Sequence, residues 1–289
     1  MQYQGAAAGE PDCVRPTTNC VLALGVNMTE STVASTVNMK RATVGVRPPS
    51  TYLSGRRTFY VGMFGVLLVI VVMGFARTLY LRSFFDVPQI PPSVLVHGIV
   101  LTAWCVGSFL QAIFVATGRV DIHRRLGWVI AGVGVAVLAI STAVTLNFVP
   151  RRRTLGADIE SGMAGLSSVV WADLSALVAF AIFLPTAVVL RRRSEIHKRL
   201  MLLSSMSIVQ PAMNRIWRWP IFDGLDGTLA SLGTMFLLLL ALGLYDVGTH
   251  KRVHAVTLFG GTFLMGSRIV SIFVVANSEV GRSFVRGLG

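Results

Sequence analysis

The residues able to do chemistry in this chain are few, and apolar sequence surrounds most of them. Its five histidines divide by context. His97 stands alone inside an apolar run, whereas His123, His197, His250 and His254 occupy polar junctions between such runs. Two junctions repeat one octad: Arg119-Val-Asp-Ile-His-Arg-Arg-Leu and Arg193-Ser-Glu-Ile-His-Lys-Arg-Leu share R-x-[DE]-I-H-[RK]-R-L. A fainter third copy is His250-Lys251-Arg252-Val253. Imidazole is a common metal and haem ligand, so His97, His123, His197 and His254 form one candidate metal or haem set. The competing role is structural: Arg and Lys anchor each turn at phosphate headgroups, while the acid and the His satisfy the first turn of the next helix.

A second candidate site comes from polar groups inside the apolar runs, where they are costly and so are usually paired or functional. Of thirteen acidic residues, only Asp173 falls well inside a run. His97, Trp104, Ser108 and Gln111 recur at intervals that align them on one helix face, at about 100° per residue. Ser207, Gln210, Pro211, Asn214 and Arg218 make a similar stripe, with Arg215 beside it. Pro211 frees a backbone carbonyl and bends its helix. Arg268 lies ~22 Å along the last run at 1.5 Å per residue, and Arg77 ends the first. His97, Trp104, Gln111, Asp173, Asn214, Arg215 and Arg268 are therefore the expected ligand-binding cluster. Asp173 should pair with Arg268 or Arg215, because an unpaired carboxylate in apolar surroundings is expensive. The excess of arginine suits a small anionic or quinone-like ligand.

The elements that must carry these groups are seven apolar stretches, at about 59–81, 93–117, 126–147, 164–190, 200–219, 229–247 and 254–276, each near the ~20 residues a membrane-spanning helix needs. The chain is 53% hydrophobic and 13% charged, against about 25% charged in soluble domains. The fold expected is all-α: a polytopic membrane helical bundle of seven transmembrane helices, one lead helix plus three helical hairpins. It spans 56–278, after a disordered polar tail over 1–55 and before a short C-terminal tail over 279–289. Met39, ahead of Lys40-Arg41, is a candidate translation start. The net charge of +13 sits in clusters flanking the runs, as the positive-inside rule produces, which argues against nucleic acid as a partner and for the lipid bilayer. Fifteen Lys and Arg fall on the octad side and nine on the other, so the N-terminus is expected to be cytoplasmic. Cys13 and Cys20 lack zinc-ligand spacing, and Cys105 reads as a packing thiol. No phosphate loop, HExxH or nucleophile elbow is present, so the chain reads more as a non-enzyme.

His97-Gly98, Trp104, Gln111, Arg119 to Gly127, His197 to Met201, and Tyr245-Asp246 to His254 together resemble the "HG…W…Q…HRRLG…HKRLM…YD…VH" signature of a family of uncharacterised bacterial multi-pass inner-membrane proteins. The likeness runs from about residue 59 to 275 and implies fold and location, with no activity. The octads are also similar to those of small membrane families of cytochrome-oxidase assembly type, for which haem or copper handling has been proposed. The function expected is binding of a small ligand or redox cofactor, haem or quinone among them, in an outer polar cavity. Alternatives are haem or copper handling with electron transfer through the histidines, and transport of a small molecule or anion.

Overall fold

The computed structural model describes residues 55–86 and 89–289, with side chains from Thr58 onward. Apart from Gly55, the expected tail over 1–55, with Met39, Cys13 and Cys20, lies outside the described residues. Every regular element among the described residues is a helix. They are α1 (Gly55–Phe75, continued by a wider π turn, Ala76–Tyr80), α2 (Pro92–Ala116), α3 (Val120–Leu146), α4 (Phe148–Thr154), α5 (Met163–Val189), α6 (Ser194–Ile216), α7 (Gly227–His250), α8 (Ala255–Ile269, with a π turn Val270–Val275) and α9 (Glu279–Gly287). The residues expected as a short C-terminal tail include α9, which packs on α5 and buries Val285.

Local chemistry explains several boundaries. Pro92 opens α2, where a missing N–H costs nothing. The Asp226 carboxylate accepts the Thr228 and Leu229 N–H groups at the start of α7, and the Ser278 hydroxyl accepts that of Gly281 in α9. The octads are not loops. They form the first turns of α3 and α6, placing Asp121 and Glu195 at the positive helix ends. Neither start has a side-chain cap among the described residues, so the acids act through the dipole. At the third junction His254 is itself the cap, its Nδ1 accepting the Val256 N–H at 3.1 Å.

Among the described residues six helices are long and apolar enough to cross a membrane: Thr58–Tyr80, Pro92–Ala116, Val120–Leu146, Met163–Val189, Gly227–His250 and Ala255–Val275. The seventh expected span, α6, is equally long but too polar for that criterion. Its position gives the reason. Helix α6 packs against α1, α5, α7 and α8, and 12 of its 23 residues are buried, so much of its surface meets protein rather than lipid. A helix in that position can carry Ser204, Ser205, Ser207 and Gln210 in its core-facing stripe. The hairpins α2–α3, α5–α6 and α7–α8 each pack internally. Gly74 lets α1 meet the backbone of Ala212 in α6; a Cβ there would collide with the Ala212 carbonyl, the small-residue contact on which membrane helices rely.

Candidate functional site

Two polar centres lie at opposite ends of the bundle. The first, at the octad end, joins α6, α7 and α8. Arg199, with no exposed surface, donates from Nε and Nη2 to Asp246 Oδ1 at 3.0 and 2.5 Å, and from Nη1 to the Glu195 carbonyl and carboxylate, each at 2.7 Å. Asp246, equally buried, accepts on Oδ2 from Thr257 Oγ1 at 2.5 Å and from the His254 N–H at 3.1 Å. Lys198 holds the other Glu195 oxygen, Oε1, at 2.8 Å, while His250 Nε2 approaches Oε2, the oxygen that Arg199 holds, at 3.6 Å. Each ion here has hydrogen bonds on both sides, which a buried pair requires. Burial, with the Arg199 cation nearby, lowers the His254 pKa below the usual histidine value.

The acid of this centre lies near a helix end, outside the expectation that placed Asp173 alone well inside a run. Asp246 stands four residues before the end of α7 and is fully enclosed. The sequence did carry a signal: Tyr245-Asp246 and the octad arginine both lie within the first or last turns of long helices, where a partner of opposite charge is in reach. Both octad histidines staple their own hairpins. His197 Nδ1 meets the Ala187 carbonyl at 2.8 Å. Gln111, oriented to satisfy its neighbours, donates to His123 Nδ1 and to the His123 carbonyl (3.1 Å), and accepts the Gly127 N–H at 3.0 Å. The two imidazole rings lie 6.3 Å apart.

The second centre lies in the other half of the bundle. At 1.5 Å per residue, Arg268, Ser207, Asp173, Gln210, His97 and Arg215 stand roughly 20 to 32 Å from the octad ends of their helices. Buried Arg268 donates from Nη1 to the Ala172 carbonyl of α5 and from Nη2 to the Ser207 carbonyl of α6, both at 2.7 Å. Ser207 is four residues before Pro211, so its carbonyl is the acceptor that the proline leaves without an intrahelical N–H. The guanidinium thus fills the gap opened by the proline and ties three helices together.

That use of Arg268 replaces the expected ion pair. Among the described residues no hydrogen bond or ion pair joins Asp173 to an arginine; Arg268 and Arg215 act on it only through their field. Arg215 is exposed, lies over the Phe75 ring at 4.5 Å and is within electrostatic reach of His97. His97 Nδ1 meets the Ser141 hydroxyl at 3.3 Å. Asn214 Oδ1 accepts from Ser231 at 2.5 Å. Gln210 is 2% exposed, yet its Oε1 and Nε2 have no partner among the described residues.

The expected ligand-binding set is therefore split. His97, Asp173, Asn214, Arg215 and Arg268 share the second centre. Trp104 is enclosed in the core, donating to the Ser205 hydroxyl at 3.1 Å, and Gln111 belongs to the octad end. The expected metal or haem set is divided as well. His97 lies about 21 Å along α2 from Gln111, the partner of His123. Among the described residues no three His, Cys, Asp or Glu side chains gather as metal ligands do. No family model matches the chain, and no curated protein or solved structure is significantly similar to it.

Proposed function

We propose that this multi-span helical membrane protein binds a small ligand, an anion or a quinone-like carbonyl compound, in the second polar centre between α2, α5, α6 and α8. The observation that carries the reading is a concentration of unanswered polar groups at one depth. The Gln210 amide lacks partners at both ends, and the Asp173 carboxylate takes no hydrogen bond among the described residues, within the field of Arg215 and Arg268. Hydrocarbon offers such groups nothing, so they demand a polar partner from elsewhere. A carbonyl oxygen would accept from Gln210 Nε2 and Arg215, while Arg268, fixed by two backbone carbonyls, supplies charge without moving. The bias of Lys and Arg toward the octad end favours a cytoplasmic N-terminus and an outward-facing centre, in a bacterial inner membrane as the signature resemblance implies.

Pro211 inside α6, beside this centre, and the repetition of hairpins favour transport of the same ligand as a second reading, since proline-interrupted helices are where transporters hold substrates. The test is thermal unfolding of the detergent-purified chain with a short-chain quinone and with a panel of small carboxylates. At least one probe should raise the transition temperature, and Gln210→Leu or Arg215→Gln should remove the shift. A panel that leaves the wild-type transition unmoved, or shifts that persist in both variants, sinks the reading. Flux of the stabilising probe into proteoliposomes then separates transport from binding alone.

A further inference from the structure

At the octad end, on the outside of the bundle, α5 and α8 diverge over α6 and leave an open groove of about 410 Å³, within the range that holds small ligands. Its walls are apolar: Phe183 from α5, Leu200 from α6, and Val256, Gly260 and Phe263 from α8 line it, together with Thr186. The Thr186 hydroxyl is spent on its own helix, donating to the Ile182 carbonyl at 2.6 Å, so it offers the groove no competing polarity. Gly260 keeps the floor low, and a Cβ there would stand 2.6 Å from Leu203. Phe183 and Phe263 meet edge to face at the inner end. Counting residues from the ends of α5 and α8, the groove runs about 12 Å inward, close to the ~15 Å depth of one hydrocarbon leaflet.

The mouth is cationic. Arg192 and Arg193, in the α5–α6 turn, and Lys251 and Arg252, in the α7–α8 turn, are exposed and have no side-chain partner among the described residues. The nearby acids are already neutralised: Glu195 by Lys198 and Arg199, Asp246 by Arg199. Lys251 also holds a left-handed backbone, φ 60°, at a helix end where glycine is favoured. A charged side chain is kept there despite the conformational strain.

We infer that this groove is a binding site for an anionic phospholipid, one acyl chain lying between α5 and α8 and the phosphate held by Arg192, Arg193, Lys251 and Arg252. Four uncompensated cations in the two turns that run into its lining residues Leu190, Ile196 and Ala255, together with an apolar slot of leaflet depth, match both halves of such a lipid. A zwitterionic lipid would leave the charge unanswered. The Arg119–Arg125 junction carries cations of the same kind at the same end of the bundle, but neither helix it joins lines this groove, and so it provides the internal control.

The experiment is native mass spectrometry of the full chain in detergent, titrated with phosphatidylglycerol or phosphatidylcholine. The wild type should retain phosphatidylglycerol in preference. Replacing Arg192, Arg193, Lys251 and Arg252 together by Gln should weaken that retention roughly tenfold or more, taking about fivefold per cation as the upper bound. Ala255→Trp, which fills the groove mouth and leaves the charges in place, should weaken it as well. Replacing Arg119, Arg124 and Arg125 by Gln should leave it unchanged. Equal losses in both charge variants would show diffuse surface attraction and overturn the site, as would equal retention of the two lipids. A dimer that Ala255→Trp dissociates would also overturn it, making the groove a contact between copies of the chain.

Discussion

The two octads are a comparison built into the molecule. In 119–126 and 193–200 the same residue types recur in the same order, open a long helix, and set an acid in its first turn. Their histidines do the same work, each bonded to the preceding helix of its hairpin. Their last arginines do not. Arg125 is exposed, whereas Arg199 is fully enclosed and bonded to Asp246 and Glu195. The difference comes from what stands beside each helix. Helix α3 packs mainly against α2 and α5, while α6 is surrounded by α1, α5, α7 and α8, and α7 delivers a carboxylate to the Arg199 side chain. The octad specifies a helix start and a staple; a neighbour of opposite charge turns one copy into a buried centre.

The largest effect should separate the two arginines. Arg199→Ala leaves Asp246 buried without its cation and should cost about 3–5 kcal/mol of stability, read by denaturant unfolding in mixed micelles, while Arg125→Ala should stay within about 0.5 kcal/mol. The double variant Arg199→Met with Asp246→Leu should be less destabilised than the two single changes summed, because removing both charges strands neither. Strict additivity would mean that the pair is not coupled and that the comparison is wrong.

A smaller effect should unite the octads. His123→Ala and His197→Ala each remove one staple and should cost about 1 kcal/mol apiece. A loss several times larger at only one of them would break the equivalence.

The smallest effect concerns the third junction. His254 has a lowered pKa in the folded chain, from burial first and the Arg199 charge second, so the unfolded chain takes up a proton earlier as pH falls. Stability should therefore decline as pH drops below about 6.5, the ordinary histidine value, and continue down through the lower folded value. His254→Asn, which keeps a capping acceptor, should flatten that part of the stability–pH curve. An unchanged slope would assign the decline to another group.

Much of this was legible in the chain itself. Long apolar runs broken by prolines and basic clusters can hide their backbone from lipid only as helices, and the repeated octads mark where two of those helices begin. The depth of Arg268, Asp173, Asn214 and Arg215 also followed from residue counting, because helix rise is constant. What counting could not give was pairing. Asp173 and Arg268 are matched in sign and level, yet Arg268 serves the Ser207 carbonyl opened by Pro211 and the Ala172 carbonyl, acceptors that a count of charged side chains omits. Asp246 looked peripheral because it lies near a helix end, and only the convergence of α6, α7 and α8 enclosed it. Periodicity is a property of one helix and is written in local sequence. Which helix stands at the centre, and hence which ions lose water and must find one another, is decided by how the helices pack, and residues such as 199 and 246 meet only in the assembled bundle.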